Sequence, residues 1–414
     1  MKVIILGDYY PDIGGVTSYI HTLVRALLRR GHSVVILQTR PHIRPHIIIS
    51  DNLALYRLPY RSRDKIKLVL LGLRHTWLLL KTTPLLIIEP RALFSAIILA
   101  PMIDSIIAKE CDKNTCIIHS NHLALRSLVA ATIGMKRGLR VVVSTHGYDT
   151  SYPKSLKEYV TRKKIIDLAD KVIVLTQVKK IFLKELYSYE EKYIVIPNFV
   201  ECLDIMNKSF EIINNEKHMS KKARGLESRL VIGYVGRILS EKGIFDIIEA
   251  VHSIEKSLRN NIVVVFIGGG PDERRLRDEV NNRKLNNVML IGPLTDKEKN
   301  SWMRSIDILL LPTRWPEGFP TVILEAWSYG AIPIVYPFPG AGEIIHKNMG
   351  ITVNNVEELS KVIKRLVEEY FYIEILRRNI IENLRHSNYC VEKTVKDIEE
   401  LYSIVSRSYR RRIS

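Results

Sequence analysis

Cysteine is scarce: four residues, Cys111, Cys116, Cys202 and Cys390, serve a chain of 414. None forms a C-x-x-C pair, so a dense disulfide framework is excluded and structural reduced thiols in a cytosolic chain are expected. Long apolar runs are missing as well. The two longest candidates, residues 66–80 and 85–107, are broken by Lys67, Arg74, His75, Glu89, Arg91 and Asp104. Neither reaches the ~20 unbroken apolar residues that a membrane-spanning helix needs. The opening MKVIILGDYY has an apolar core too short for a signal peptide and suited to a first buried strand. No G-x-G-x-x-G occurs, which argues against a dinucleotide site of the Rossmann type. D-x-D triplets are absent too, as are RNP, KH and zinc-finger signatures.

Acidic residues are few in one half only. Residues 1–200 hold 30 Lys and Arg against 15 Asp and Glu, whereas residues 201–414 hold 32 against 29. Arg407, Arg410, Arg411 and Arg412 exceed that second surplus, so residues 201–406 are close to neutral. The positive field, and with it an anionic partner, belongs to the first half and the tail. Between Pro41 and Cys116, Arg57, Tyr60, Arg61, Arg63, Lys65, Lys67, Arg74, Trp77 and Lys81 interleave cations with apolar groups. Two readings of this stretch stand: core helices with a solvated basic face, or a patch suited to an anionic membrane surface. With 46% apolar and 26% charged residues, the chain is globular and long enough for two domains.

What is present centres on residues 306–330, IDILLLPTRWPEGFPTVILEAWSYG. The short apolar run Ile306, Ile308–Leu311 predicts a strand buried on both faces, ended by Pro312. A helix is predicted from Pro320, with proline at the first helical position and Gly330 as the stop. A strand, a loop and a helix start form the place where open α/β sheets bind ligands. Seven residues separate Glu317 in the loop from Glu325 in the helix. Free N–H groups at Phe319 to Val322 suit an anion between the two carboxylates. A nucleoside diphosphate sugar needs that order: sugar hydroxyls, then diphosphate, then ribose. The alternative reading is a solvated loop glutamate and a surface helix glutamate.

The E-x7-E spacing and the wording EGFP…LEA resemble the signature of retaining glycosyltransferases of family 4. The resemblance implies an α/β chain of GT-B architecture, two Rossmann-like doubly wound parallel-sheet domains facing a cleft. GRILSEKG resembles the family's GR-x-x-x-E-K-G, which implies that Arg237 and Lys242, beside Gly236, stabilise the leaving diphosphate as fork and point charge. Glu317 then orients the transferred sugar, Gly318, Phe319, Pro320 and Thr321 hold the diphosphate, and Glu325 meets the ribose. His146 with Gly147 resembles the family's histidine site beside the donor sugar. The pair Gly14 and Gly15 resembles the glycines that face the donor phosphate and the acceptor, and NVMLIGPL ends near Ile291, where the family's backbone meets the base. Gly340–Gly342 resemble the loop beside the sugar. YIVIPNFV resembles IPNGV, with Phe199 where the family has glycine.

His119, His122 and His146 all fall at predicted strand ends, but no carboxylates stand at ligand spacing and no metal site is expected. The expected domains are 1–200 for the acceptor, a polar linker over 201–228, 229–385 for the donor, and a C-terminal helical segment, 386–414, crossing back to the first. The implied reaction moves a hexose-type sugar from a UDP- or GDP-linked donor, with retention and without metal or other cofactor. A glycan or lipid-linked acceptor is expected, with the protein cytoplasmic and peripheral on the inner membrane face. Nucleic acid is not an expected partner. Two alternatives stand beside this: a GT-B nucleotide-sugar epimerase, and a basic nucleic-acid-binding protein on a degenerate scaffold.

Overall fold

A computed structural model describes residues 1–9, 14–38, 46–58, 90–111, 116–346 and 348–413. The chain divides into two compact units, residues 1–197 with 391–414, and residues 198–390. Most of the basic and apolar stretch singled out above, from Tyr60 to Lys81, lies outside the described residues.

The first unit is built on β1 (Lys2–Leu6), β2 (Ser33–Gln38), β3 (His46–Ser50), β4 (Leu53–Arg57), β5 (Cys116–Asn121), β6 (Arg140–Ser144), β7 (Lys171–Val174) and β8 (Tyr193–Val195). Their order is β3-β4-β2-β1-β5-β6-β7-β8. All pairings are parallel except β3 with β4, so the expected parallel sheet carries one antiparallel edge strand. Val3, Ile4, Ile5 and Leu6 are fully buried, because helices cover both faces of a parallel sheet and leave no position along β1 for polar alternation. The strand order reverses between β1 and β5, and the carboxyl ends of those two strands define the switch point where such sheets open a crevice.

The second unit carries β9 (Leu230–Val235), β10 (Ile262–Ile267), β11 (Val288–Gly292), β12 (Ile308–Leu311), β13 (Ile332–Val335) and β14 (Ile351–Thr352). The order is β11-β10-β9-β12-β13-β14, parallel throughout. Its switch point falls between β9 and β12. These are the strands that lead into GRILSEKG and into the loop carrying Glu317.

Three expectations need correction. Residues 201–228 are not an irregular linker: helices Leu203–Asn207 and Phe210–Lys222 occupy most of it and belong to the second unit. The inward positions of the longer helix include Lys217 and Lys221, both almost fully buried, so the apolar periodicity that marks a packed helix is disguised. Pro320 is the N-cap and not the first helical residue; the helix runs Thr321–Ser328, and Gly330 (φ 64°) ends it. The cysteines are not free thiols but form Cys111–Cys116 and Cys202–Cys390 disulfides. Pairing across 188 residues follows from the fold and has no trace in sequence spacing.

Candidate functional site

In the second unit, β9 ends on exposed Gly236 and Arg237. Two glycines let the neighbouring chain close in. A Cβ on Gly268 (φ 136°) would lie 1.9 Å from the Gly236 carbonyl oxygen, and one on Gly243 (φ 73°) would lie 1.9 Å from that of Pro312. No other residue fits either place. Gly243 therefore seats the one-turn helix Ser240–Lys242 against the end of β12. Asp272 holds the start of that turn, accepting from the Ser240 N–H and hydroxyl at 2.7 Å each. The Glu241 carbonyl accepts from Arg314 N and Trp315 N at 2.8 and 3.1 Å, tying the two loops together.

The result is a direct ion pair between Lys242 and Glu317, both half-buried, with the Thr313 hydroxyl donating to the same carboxylate at 3.3 Å. Arg237 forms no ion pair among the described residues, and its carbonyl accepts from the Tyr234 hydroxyl at 2.6 Å. At the helix start, Ile323 N bonds the Pro320 carbonyl, while the N–H groups of Thr321 and Val322 have no backbone acceptor among the described residues. Gly318, Phe319 and Pro320 are buried just before it. Thus Gly236, Arg237, Lys242, Glu317 and Thr321 share the carboxyl edge of one sheet. Ile291 reaches that edge from β11, where a bulge leaves it without a partner in β10.

Glu325, one turn into the helix, pairs with Lys299 at 3.0 Å. Burial tends to lower the Lys299 pKa, but Glu325 and Asp296 outweigh it and the pKa is raised. Lys299 lies on the helix Asp296–Met303 and was not singled out by sequence, because nothing in DKEKNSWM distinguishes it from a surface lysine.

A cavity of about 600 Å³ also opens on this unit, lined in part by Lys217, Lys221, Asp307 and Arg377. It lies at the opposite, amino edge of the sheet, since Asp307 precedes β12. Its cations are already engaged: Lys221 and Arg377 reach Asp307 at 2.8 and 2.9 Å, and Lys217 donates to the Ile306 carbonyl. This is bracing that fastens two helices to the sheet.

The first unit places Gly14 and Gly15, both exposed, at the start of the helix Gly15–Arg29. His146 follows β6. Asn121 donates its amide to the Leu6 carbonyl at 3.0 Å, so its oxygen faces His146 Nε2 at 2.8 Å and that nitrogen carries the proton. Burial, followed by the nearby His122, brings the His146 pKa down to about 3, so the ring is neutral and Nδ1 presents a lone pair. Tyr19 and His122 pack edge-on against it at 4.9 and 5.0 Å. His119 is buried, with a pKa near 3 for that reason, and both of its nitrogens are occupied, by Tyr402 at 2.5 Å and Ser144 at 2.7 Å. Asp149 accepts from the N–H groups of Leu123 and His146 and lies 3.6 Å from His122. Burial tends to raise its pKa, but the His122 hydrogen bond and charge outweigh that and hold it at about 2. Among the described residues, no group of three His, Cys, Asp or Glu side chains is placed to hold a metal ion.

Tyr402 was not foreseen at this centre. It comes from the helix Val391–Ile413, which joins the first unit and also carries Glu399 onto Arg30 and His32, at 2.7 Å each.

Two family models match this chain: Glycosyltransferase Family 4 over residues 13–202, and Glycosyl transferases group 1 over residues 215–387. Together with the two-unit parallel-sheet architecture they define a glycosyltransferase of GT-B fold, and the chain belongs to the group 1, family 4 type. It is 25% identical to an uncharacterised glycosyltransferase of Methanocaldococcus jannaschii over 98% of this chain and 99% of that one. A second uncharacterised glycosyltransferase of the same organism is 23% identical over 61% of each chain. A putative teichuronic acid biosynthesis glycosyltransferase of Bacillus subtilis is 23% identical over 72% and 73%. Among solved structures, the sucrose-phosphate synthase of Thermosynechococcus elongatus superposes with TM-score 0.75 at 17% identity, covering 98% and 99% of the two chains. Anabaena HepE, in complex with UDP-glucose, gives 0.70 at 15% identity over 97% and 99%.

Proposed function

We propose that this glycosyltransferase moves a hexose-type sugar from a UDP- or GDP-linked donor to a glycan or lipid-linked acceptor, with retention and without metal or cofactor. The observation that carries the reading is the carboxyl edge of the second unit, where Glu317 pairs with Lys242 and which Arg237 and the N–H groups of Thr321 and Val322 share, the arginine without an ion pair and the N–H groups without a backbone acceptor among the described residues. A diphosphate arriving there meets Arg237 and the N–H groups of Thr321 and Val322, and draws Lys242 away from Glu317. The carboxylate that Lys242 leaves becomes a hydrogen-bond acceptor for sugar hydroxyls, while Glu325, braced by Lys299, accepts from the ribose. Charge that develops on the leaving diphosphate is thus met by groups already in place, which is where such catalysis gains most.

His146, neutral and with Nδ1 open as an acceptor, has the chemistry to accept from a sugar hydroxyl, the role that the family resemblance gives it. Retention follows from attack on the leaving-group face, with a donor oxygen taking the acceptor's proton. HepE's complex with UDP-glucose and the teichuronic acid assignment of the Bacillus relative agree with a nucleotide-sugar donor and a glycan product. We place the protein in the cytoplasm, peripheral on the inner membrane face, on the strength of its basic first half. No described helix is long and apolar enough to cross a membrane.

Thermal shifts with UDP, GDP and their sugars test the donor. One base stabilises the protein, and Arg237→Ala or Glu325→Ala removes the shift; a shift unchanged by both substitutions rejects the site. Flotation with anionic and neutral liposomes tests the surface, and equal negligible binding to both removes it.

A further inference from the structure

The chain passes from one unit to the other twice, at 197/198 and at 390/391. Within the second unit the residues next to these two crossings are joined to each other. Val200 pairs with Cys390 in an isolated parallel bridge, Val200 N donates to the Tyr389 carbonyl at 2.9 Å, and a disulfide links Cys202 to Cys390. Both cysteines are buried.

This joined pair of segments packs on the donor helix. Asn198 donates its amide to the Phe319 carbonyl at 2.6 Å, and its own buried oxygen has no partner among the described residues. The Tyr389 ring stacks on Trp327 at 5.6 Å and meets Phe319 edge-on at 5.3 Å. Trp327 is fully buried and donates its indole N–H to the Met349 carbonyl at 2.6 Å. Phe319 stands two residues before Thr321, whose N–H is open to an anion. The segments that hold it are short and share only an isolated bridge, so the covalent link supplies the rigidity that a ladder of hydrogen bonds would otherwise give.

We propose that the Cys202–Cys390 disulfide is a positioning element for the donor site: through Tyr389 and Asn198 it fixes Phe319 and the start of the helix Thr321–Ser328, and opening it weakens nucleotide binding. A dithiol reductant opens it in a balanced exchange, two electrons and two protons converting the disulfide to two thiols while the dithiol becomes a disulfide. The inference rests on the nucleotide-binding role given above to this edge, and its test has a readout independent of that role.

Amide hydrogen exchange is measured on the full chain in three forms: oxidised, reduced with a dithiol until alkylation and mass spectrometry report free thiols at 202 and 390, and Cys202→Ser/Cys390→Ser. When the link is open, exchange is expected to rise at residues 198–202 and 323–328, where Ile323 N is the first bonded amide of the helix, by more than it rises through β9 and β10, and Tyr389→Leu reproduces this with the disulfide intact. UDP and GDP titrations on the same samples give about threefold to tenfold weaker binding for the base that binds, because the helix start is competent for a smaller fraction of the time. Cys111→Ser/Cys116→Ser changes neither readout. A rise at 323–328 no larger than the rise through β9 and β10 overturns the proposal, since the link would then be a general stabiliser. If neither nucleotide binds any form, the donor reading fails while exchange still decides the positioning role.

Discussion

The polar centre of the first unit and the charged edge of the second occupy the same place in related sheets, the carboxyl ends of strands at a switch point, but use different electrostatics. In the first unit the two buried histidines are neutral and held in place: His119 gives both nitrogens to Tyr402 and Ser144, and His146 is fixed through Nε2 by Asn121. In the second they are charged and exchangeable. Lys242 holds Glu317, Glu325 holds Lys299, and Arg237 has no ion pair among the described residues. Neutral hydrogen bonds inside a sheet give a fixed shape, because breaking one leaves a buried polar group unsatisfied. Ion pairs at the mouth of a sheet edge, with 14–21% of each side chain's surface open, can be exchanged for a ligand's charge without leaving a group unsatisfied. The first unit thus presents a fixed shape and the second a pattern of charges open to exchange.

The largest expected effect breaks this contrast on the charged side. Arg237→Ala and Lys242→Ala each lower sugar transfer about 10²- to 10³-fold, measured as initial rates with the donor found in the thermal-shift panel. Glu317→Gln sharpens the contrast. Transfer falls about a hundredfold, yet the nucleoside diphosphate without sugar binds at least as tightly as to the wild type, because Lys242 no longer has a competing carboxylate. Calorimetric titration with UDP or GDP separates the two; weaker binding would refute the exchange of partners.

Next in size, Cys202→Ser/Cys390→Ser lowers stability to urea by about 2–5 kcal/mol, since a long loop is released in the unfolded chain. Smaller still is the pH response of the neutral side. His119 and His146 titrate near pH 3 in the folded chain against an ordinary 6.5. Between those values the unfolded chain binds a proton at each that the folded chain refuses, so stability is complete above about pH 6.5 and is lost as pH falls. The slope is about 1.4 kcal/mol per pH unit for each ring. Urea melts at successive pH values measure it, and His119→Gln reduces the slope by one ring's share; an unaltered slope would count against a buried neutral His119.

Much of this was legible because it is local. The run Ile308–Leu311 and the turn at Lys242 and Gly243 follow from apolar continuity, a proline stop and glycine, and the structure places them where those rules do. The pairing of Lys242 with Glu317 was not legible, since it depends on β9 and β12 lying side by side although residues 236–307 separate them in sequence. Lys217 and Lys221 concealed a packed helix, because a buried lysine looks like a solvated one until its carboxylate or carbonyl is in place.

By itself, the sequence determined which segments are strands buried on both faces, where the glycine turns at their ends stand, and which half carries the positive charge. These depend on neighbours a few residues apart. Only the tertiary structure decided which charges meet, that His119 is closed off by Tyr402 from the far end of the chain, and that Cys202 finds Cys390. Hydrogen bonds, ion pairs and disulfides act over a few ångströms, and only the completed fold brings residues so distant in sequence within that range.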